Sequence, residues 1–484
     1  MKLLLANPMF KGALGIPSFG LGFIGTYVKE HSDCEVEVVE QSMQGISTEA
    51  LIEKALNVDY LGLICYTESR FEVFDLARRV KTANPSCLIM VGGAHVQTLD
   101  REILLHYPFI DYVVRMEGEE TVLEIIQGRP LKEISGLTWR CGTDIVRNPD
   151  RPAIADINCL RYDYSLIRHQ IADWKDYEIP VRMQGLNALP AIASRGCPYQ
   201  CKFCASNRHW GHSYRYMTPE NLVALIEGWI ERYGTGYIRF YDALFVGNES
   251  RILSFCDLLE QRNIKISFRV DVRIGTSKNV LRRLREAGCE VLGFGIESGS
   301  DRILKRINKG ITRAQIEETI GFCRDLGYWI IGFFMVSLPD ETEEDILKTL
   351  ELLKYFNEAD VQFFKIHPNT AFYDELLAKG EITDQVWFDT TEEAELFYCR
   401  ERFSSAQFTR EEVNSFLSYA YNKISLCNPQ KVIETYGALK GVALLTVAAA
   451  SNMLLSGSWG RGLQRRIKNI GFVKSIYNRL SSRI

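Results

Sequence analysis

Cys197, Cys201 and Cys204 lie in one short stretch, Ser194-Arg-Gly-Cys-Pro-Tyr-Gln-Cys-Lys-Phe-Cys-Ala205, with the spacing C-x3-C-x2-C. Three thiolates from a single loop can hold three irons of a [4Fe–4S] cluster and leave the fourth iron open for a ligand. The same thiols could serve zinc, which wants four closed ligands, with His209 or His212 as the fourth. Three unliganded core cysteines are a further reading, but Gly196 and Pro198 make the segment a turn, a poor host for buried thiols. Tyr199 sits inside the loop, where it would meet whatever approaches the metal. The apolar run Leu189-Pro-Ala-Ile-Ala-Ser194 reads as a buried strand leading into the loop.

This loop resembles the signature of the radical S-adenosylmethionine (SAM) superfamily. The resemblance implies that the open iron chelates the amino and carboxylate groups of SAM's methionine part. One electron from the cluster then cleaves SAM to a 5′-deoxyadenosyl radical. It also implies that Phe203, just before the third cysteine, lies against the adenine. Further phrases are similar to those of the family: Trp210-Gly-His-Ser-Tyr-Arg-Tyr-Met-Thr-Pro-Glu220, Gly332-Phe-Phe-Met-Val-Ser-Leu-Pro-Asp-Glu-Thr342 and His367-Pro-Asn-Thr370. Phe240-Tyr-Asp-Ala-Leu-Phe245 resembles the family's F-x-D-D-x-F phrase with Ala243 in place of the second acid. Asp242 is thereby the candidate near the SAM amino group, or else a solvated strand-end carboxylate. In Gly295-Ile-Glu-Ser-Gly-Ser300 the resemblance implies that Glu297 accepts the ribose hydroxyls, with Ser298 beside it. The glycines would let the backbone come close; the other reading of Glu297 is an acid at a helix N-terminus. Arg269 and Arg273 point to one face of a strand by period two. Either could pair with the SAM carboxylate or with Asp271 or Glu297.

These groups need a scaffold that delivers strand ends to one place. From Leu189 onward six apolar strand segments alternate with helical patterns: Pro190–Ser194, Tyr237–Tyr241, Lys265–Val270, Glu290–Ile296, Trp329–Val336 and Val361–Ile366. Such an alternation predicts a parallel, curved sheet, an open (β/α)6 partial TIM barrel over 189–385, whose chemistry sits at the carboxyl ends of the strands. Residues 1–125 alternate in the same way and predict a doubly wound, flavodoxin- or Rossmann-like α/β domain. Residues 126–188 carry little regular signal and read as a linker, and 386–484 as a helical C-terminal region with a basic tail.

The N-terminal run resembles the cobalamin-binding domain found ahead of many radical SAM domains. The matching phrases are Val91-Gly-Gly-Ala-His95 and Val114-Arg-Met-Glu-Gly-Glu-Glu-Thr121, with Met116 where the family places a glycine. Gly92, Gly93, His95 and Gly118 are the corrin-contact candidates that follow. None of the seven histidines stands in an Asp-x-His-x-x-Gly arrangement, so no lower histidine ligand to cobalt is expected. Thr67 or Glu68 would meet the lower face instead. The alternative is a flavodoxin-like domain without a corrin.

The 13 cysteines are odd in number and scattered from Cys34 to Cys427, unlike a disulfide framework. Met1-Lys-Leu-Leu-Leu-Ala reads as a strand rather than a signal peptide. A reducing cytoplasm is the expected location, and it suits a cluster. The overall charge is −4, and no nucleic-acid footprint is visible. After Glu434 every charged residue is basic. The apolar run 441–455 and the basic stretch Arg461–Arg483 read either as a core helix with a solvated tail or as a peripheral contact at the inner membrane face.

Together the resemblances imply a cobalamin-dependent radical SAM methyltransferase acting on a small-molecule or lipid-like substrate, supplied by an electron donor such as flavodoxin or ferredoxin. One SAM would methylate cob(I)alamin; another would be cleaved, and the substrate carbon radical would take the methyl group from methylcobalamin. A radical SAM dehydratase, cyclase or rearrangement enzyme fits the same motifs, and a cofactor-binding scaffold is the third reading.

Overall fold

The computed structural model describes residues 1–10, 17–167, 186–211 and 213–388 of the 484. Strands β1 (Lys2–Asn7), β2 (Glu35–Glu40), β3 (Tyr60–Ile64), β4 (Leu88–Gly92) and β5 (Tyr112–Val114) pair in parallel in the order β2-β1-β3-β4-β5. The near-continuous apolar runs of β1, β3, β4 and β5 are those of strands covered on both faces by helices, whereas β2, at the edge, carries Glu35, Glu37 and Glu40. The strand order reverses between β1 and β3, so the chain leaves those two strands in opposite directions and opens a crevice at their carboxyl ends. The helix Phe19–His31 buries Leu21, Phe23 and Val28 beside that crevice.

The segment expected as an irregular linker is partly regular. Strands β6 (Leu137–Cys141) and β7 (Asp144–Arg147) extend the first sheet antiparallel beyond β5. Arg140, Asp144 and Arg147 break the apolar period that would have revealed them. Their hairpin turns at Gly142, φ 61°. Arg115 fixes the chain after it by donating to Asn148 O (2.6 Å) and Asp150 (2.9 Å).

The second half begins at β8 (Asn187–Ala191). Two short strands, β9 (Ser194–Arg195) and β10 (Arg215–Tyr216), pair antiparallel around the cysteine loop. Strands β11 (Thr235–Phe240), β12 (Ser267–Val272), β13 (Cys289–Glu297), β14 (Trp329–Val336) and β15 (Glu358–Phe363) follow. With β8 they make a six-stranded parallel sheet in sequential order, the curled sheet of an open barrel. Three of these strands are displaced from the expected segments: β8 starts at Asn187 and ends at Ala191, β12 runs on to Val272 and β15 starts at Glu358. Helix signals are local and clear. Thr218 caps the helix Pro219–Tyr233 by accepting from Asn221 N, proline occupies its first turn, and Gly234 ends it in the left-handed region.

One contiguous core joins the halves, with Phe23, Val96 and Leu99 from the first and Ala191, Phe240 and Trp387 from the second. The turn Asp384–Trp387 folds back so that Trp387 O accepts from Arg70 Nε at 3.2 Å. The expected C-terminal helical region from 389 onward, and the apolar and basic run within it, lie outside the described residues. Among the described residues no helix is long and apolar enough to cross a membrane.

Candidate active site

The cysteine loop stands at the carboxyl-end face of the barrel sheet. Its backbone is tied to neighbouring elements: Lys202 N donates to Ile307 O (2.9 Å), Asn308 Nδ2 to Gln200 O (2.8 Å), and Phe372 N to Lys202 O (3.2 Å). Gly196 has φ 87°, and a Cβ there would meet Ser213 O at 1.9 Å, so only glycine fits. Cys197, Cys201 and Cys204 are free and half-buried. They are near neighbours without being drawn into a cage of metal ligands. Burial pushes the Cys204 thiol up to about 11 and raises Cys197 too. Cys201 adds to both shifts and Cys197 to that of Cys204, while Lys309 opposes both and Arg273 opposes that of Cys197. Three thiols on one rigid loop beside two cations suit the bonding of a cluster that carries thiolates.

The zinc reading needs His209 or His212. Nδ1 of His209 is taken up by the Gln97 side chain, and its ring packs edge-on against Trp210. Desolvation pushes this imidazole down to about 4, so it is neutral at pH 7. His212 lies outside the described residues.

Around the loop, Glu297 and Lys309 form a buried pair at 2.9 Å, with the Lys309 ammonium 5.8 Å from the Phe203 ring centre. Glu297 adopts φ 68°, a strained conformation for a non-glycine residue. Gly295 makes the pair possible, since a Cβ there would lie 2.7 Å from Glu297 Oε1 and 3.0 Å from Lys309 Nζ. Of the two arginines, Arg269 is buried against Asp271 (3.3 Å). Arg273 lies 3.8 Å over the ring of Tyr199, itself 41% exposed.

Two candidates sit elsewhere than expected. Both oxygens of Asp242 accept from Ala193 N (3.1 and 3.2 Å), and one also accepts from the Ser194 hydroxyl. Arg251 holds the same stretch through Ala193 O (3.1 Å). Desolvation pushes Asp242 up to about 6, against these bonds and the Arg251 charge. The carboxylate is buried rather than solvated, and it clamps the chain entering the cysteine loop. The Ser298 hydroxyl turns away to Thr349 (3.1 Å) and accepts from Ser300 N (3.2 Å).

Beside the loop, a cavity of about 810 Å³ opens between the two halves, toward the upper end of the roughly 300–1,000 Å³ usual for ligand sites. One wall is the carboxyl-end face of the first sheet, with Gly92, Gly93, Gly118 and Glu68; the other holds Ala205, Ser206 and His209 just past Cys204. Thr67 and His95 are not on that wall. Gly93 turns the chain at φ 107°, and His95 packs behind it against Phe74 and Trp387, its Nδ1 3.2 Å from Thr67 Oγ1. The cavity fits a corrin on two counts. Its glycines leave a surface with few side chains for a large flat ring. Asn7 Oδ1 and Ser206 Oγ, both on the cavity, are buried without a partner and would accept from amide N–H groups on a corrin periphery.

The sequence reading missed Lys309, Asn7, Ser206 and a cluster of buried charges beside the cavity. There Arg195 bridges Glu117 (2.9 Å) and Glu119 (2.6 Å), and Arg215 also holds Glu117 (2.9 Å). The two glutamates were visible as part of Glu117-Gly-Glu119, and Arg195 as the residue two before Cys197, but nothing in the sequence announced that they pair.

Known proteins repeat this arrangement. The radical SAM superfamily model matches residues 192–353 and the B12 binding domain model matches residues 12–126. An uncharacterized methyltransferase of Pyrococcus horikoshii is 27% identical over 436 residues, spanning 87% of this chain and 92% of that protein. The anaerobic magnesium-protoporphyrin IX monomethyl ester cyclase of Cereibacter sphaeroides is 25% identical over 387 residues, 76% of this chain and 61% of that one. The structure of the cobalamin-dependent S-adenosylmethionine radical enzyme OxsB with aqua-cobalamin bound shares the fold, with a TM-score of 0.67, 17% identity, and coverage of 95% of this chain and 76% of that one. A B12 binding domain and a radical SAM domain thus meet at one cavity, and together they imply cobalamin, SAM and a [4Fe–4S] cluster as cofactors.

Proposed function

We propose that this enzyme is a C-methyltransferase that methylates an unactivated carbon of a small-molecule or lipid-like substrate. The observation that carries the reading is the shared cavity: the glycine-lined sheet ends and the residues just past the third cysteine face one space. When bound, the cluster, SAM and cobalamin supply one-electron cleavage and methyl carriage; the protein fixes geometry and excludes water. Cys197, Cys201 and Cys204 hold three irons. Phe203 offers its ring to the adenine, Glu297 the ribose acceptor, and Arg273 a cation for the SAM carboxylate. Asp242 and Ser298 position the chain rather than touch SAM. Tyr199, exposed on the cysteine loop, faces the incoming substrate. Gly92, Gly93, Gly118 and Glu68 floor the corrin site, and Thr67 and His95 support it from behind. The electron donor is a small redox protein of the flavodoxin or ferredoxin kind, in a reducing cytoplasm.

The test needs no substrate. Reduced, reconstituted enzyme given SAM alone should release about one S-adenosylhomocysteine per corrin, since the corrin must be methylated before it can act as donor. Release of 5′-deoxyadenosine with no S-adenosylhomocysteine refutes methyl transfer. It would favour the second reading, a cyclase or other radical rearrangement, which the similarity to the Cereibacter sphaeroides protein supports.

A further inference from the structure

We propose that Arg195 is a positioning residue that sets the separation between corrin and cluster, acting through Glu117 and Glu119. The inference rests on the cofactor reading above. Arg195 stands on β9, two residues before Cys197. Its Nη1 donates to Glu117 Oε1 (2.9 Å) and its Nη2 to Glu119 Oε1 (2.6 Å). Those glutamates flank Gly118, which faces the corrin side of the cavity. One guanidinium therefore spans from the corrin wall to the first cluster ligand.

The geometry is restrained from every side. The three side chains are only 3–4% exposed. The Arg195 guanidinium lies 4.8 Å from the ring of Phe23, in the first half, and 5.2 Å from that of Trp210, in the second. Arg215 Nη1 donates to both oxygens of Glu117 at 2.9 Å and to Ile154 O at 2.6 Å, which keeps that carboxylate from turning.

Buried ion pairs of this kind add little net stability over apolar packing. What a planar fork adds is direction: it fixes two acceptors in one plane, which a lysine point charge cannot. A shift of Gly118 relative to Cys197 would break two charge-assisted bonds at once. The seam is thus built to hold a distance, and the distance it spans is that between the two redox centres.

The experiment is pulsed dipolar electron paramagnetic resonance on full-length holoenzyme, poised with cob(II)alamin and the one-electron-reduced cluster. Wild type should give one narrow cobalt–cluster distance. Arg195→Lys should keep its iron and corrin yet give a distribution about twofold broader, because a single ammonium replaces the fork. Glu119→Gln, which keeps size and one acceptor oxygen, should broaden it less and decides the matter if Arg195→Lys does not load. Loaded variants with the wild-type distribution overturn the proposal and leave the functional reading intact. Loss of iron or corrin from both variants also overturns it, in favour of a purely structural seam. Wild type that takes up no corrin sinks the functional reading and this proposal with it.

Discussion

Lys309 lies 2.9 Å from Glu297 in a pocket that leaves the side chains 8% and 11% exposed, and it opposes the burial shifts of Cys197 and Cys204. A single ammonium thus serves both the carboxylate proposed for the ribose and the sulfurs proposed for the cluster. Lys309→Met should weaken SAM binding to reconstituted enzyme at least about tenfold, the loss of one charge-assisted bond of roughly 1.4 kcal/mol. Gly295→Ala should do the same, because its Cβ would wedge between the partners. Equilibrium dialysis with SAM measures both; unchanged affinity in both variants refutes the shared role.

Glu40 gives the apo-protein a pH signature. It is fully buried, accepts from Ser18 N (2.6 Å) and Asn7 Nδ2 (2.8 Å), and is pushed by desolvation from 4.5 up to about 7, those bonds opposing the rise. Between these values the folded protein binds the proton that the unfolded chain has lost. Stability therefore falls as pH rises through that window, by up to about 3 kcal/mol from this group. Thermal melts at pH 5 and pH 8 should show a larger drop for wild type than for Glu40→Gln. Equal drops would mean that Glu40 does not carry a raised pKa.

The fold was legible where the code is local. Apolar strand runs, Thr218-Pro219 at a helix start and Gly234 at its end need no tertiary knowledge. β6 and β7 were not, because a strand next to solvent with Arg140 and Arg147 on it carries no apolar period. The site was legible in the spacing of its cysteines and opaque in its long-range pairs. Asp242 looked like a ligand group because Phe240-Tyr-Asp-Ala-Leu-Phe245 resembles the family's F-x-D-D-x-F phrase; only the fold reveals that it accepts from Ala193 and Ser194, about 50 residues upstream. Arg195 meets Glu117 across 78 residues, a relation that one sequence cannot display.

Met116 occupies the position where the family phrase has glycine, and its φ is 59°. That backbone costs an L-residue roughly 1–2 kcal/mol, and a β-branched side chain tolerates it worst. Met116→Val should therefore be less stable than Met116→Gly by about 1–2 kcal/mol in denaturant melts. If valine matches glycine, the left-handed turn is not a constraint at this position.

His95 is buried, its Nδ1 near Thr67 Oγ1 and its ring between Phe74 and Trp387, behind the cavity wall. Burial and the nearby Arg70 hold it well below the usual imidazole range. His209 does face the cavity, but from the barrel side, with Nδ1 engaged by Gln97. Where the sheet ends meet the cavity, Glu68 is among the polar side chains that line it, 3.8 Å from Lys365. Cob(II)alamin bound to this protein should therefore carry no axial nitrogen from a histidine. The measurement is electron paramagnetic resonance of protein grown with 15N-histidine, which separates a protein nitrogen from the corrin's own base by the splitting each isotope gives. Identical spectra from labelled and unlabelled protein are expected. A splitting that changes with the label, and disappears in His95→Phe or His209→Phe, would show that one of these rings reaches the metal and that the cavity rearranges around it.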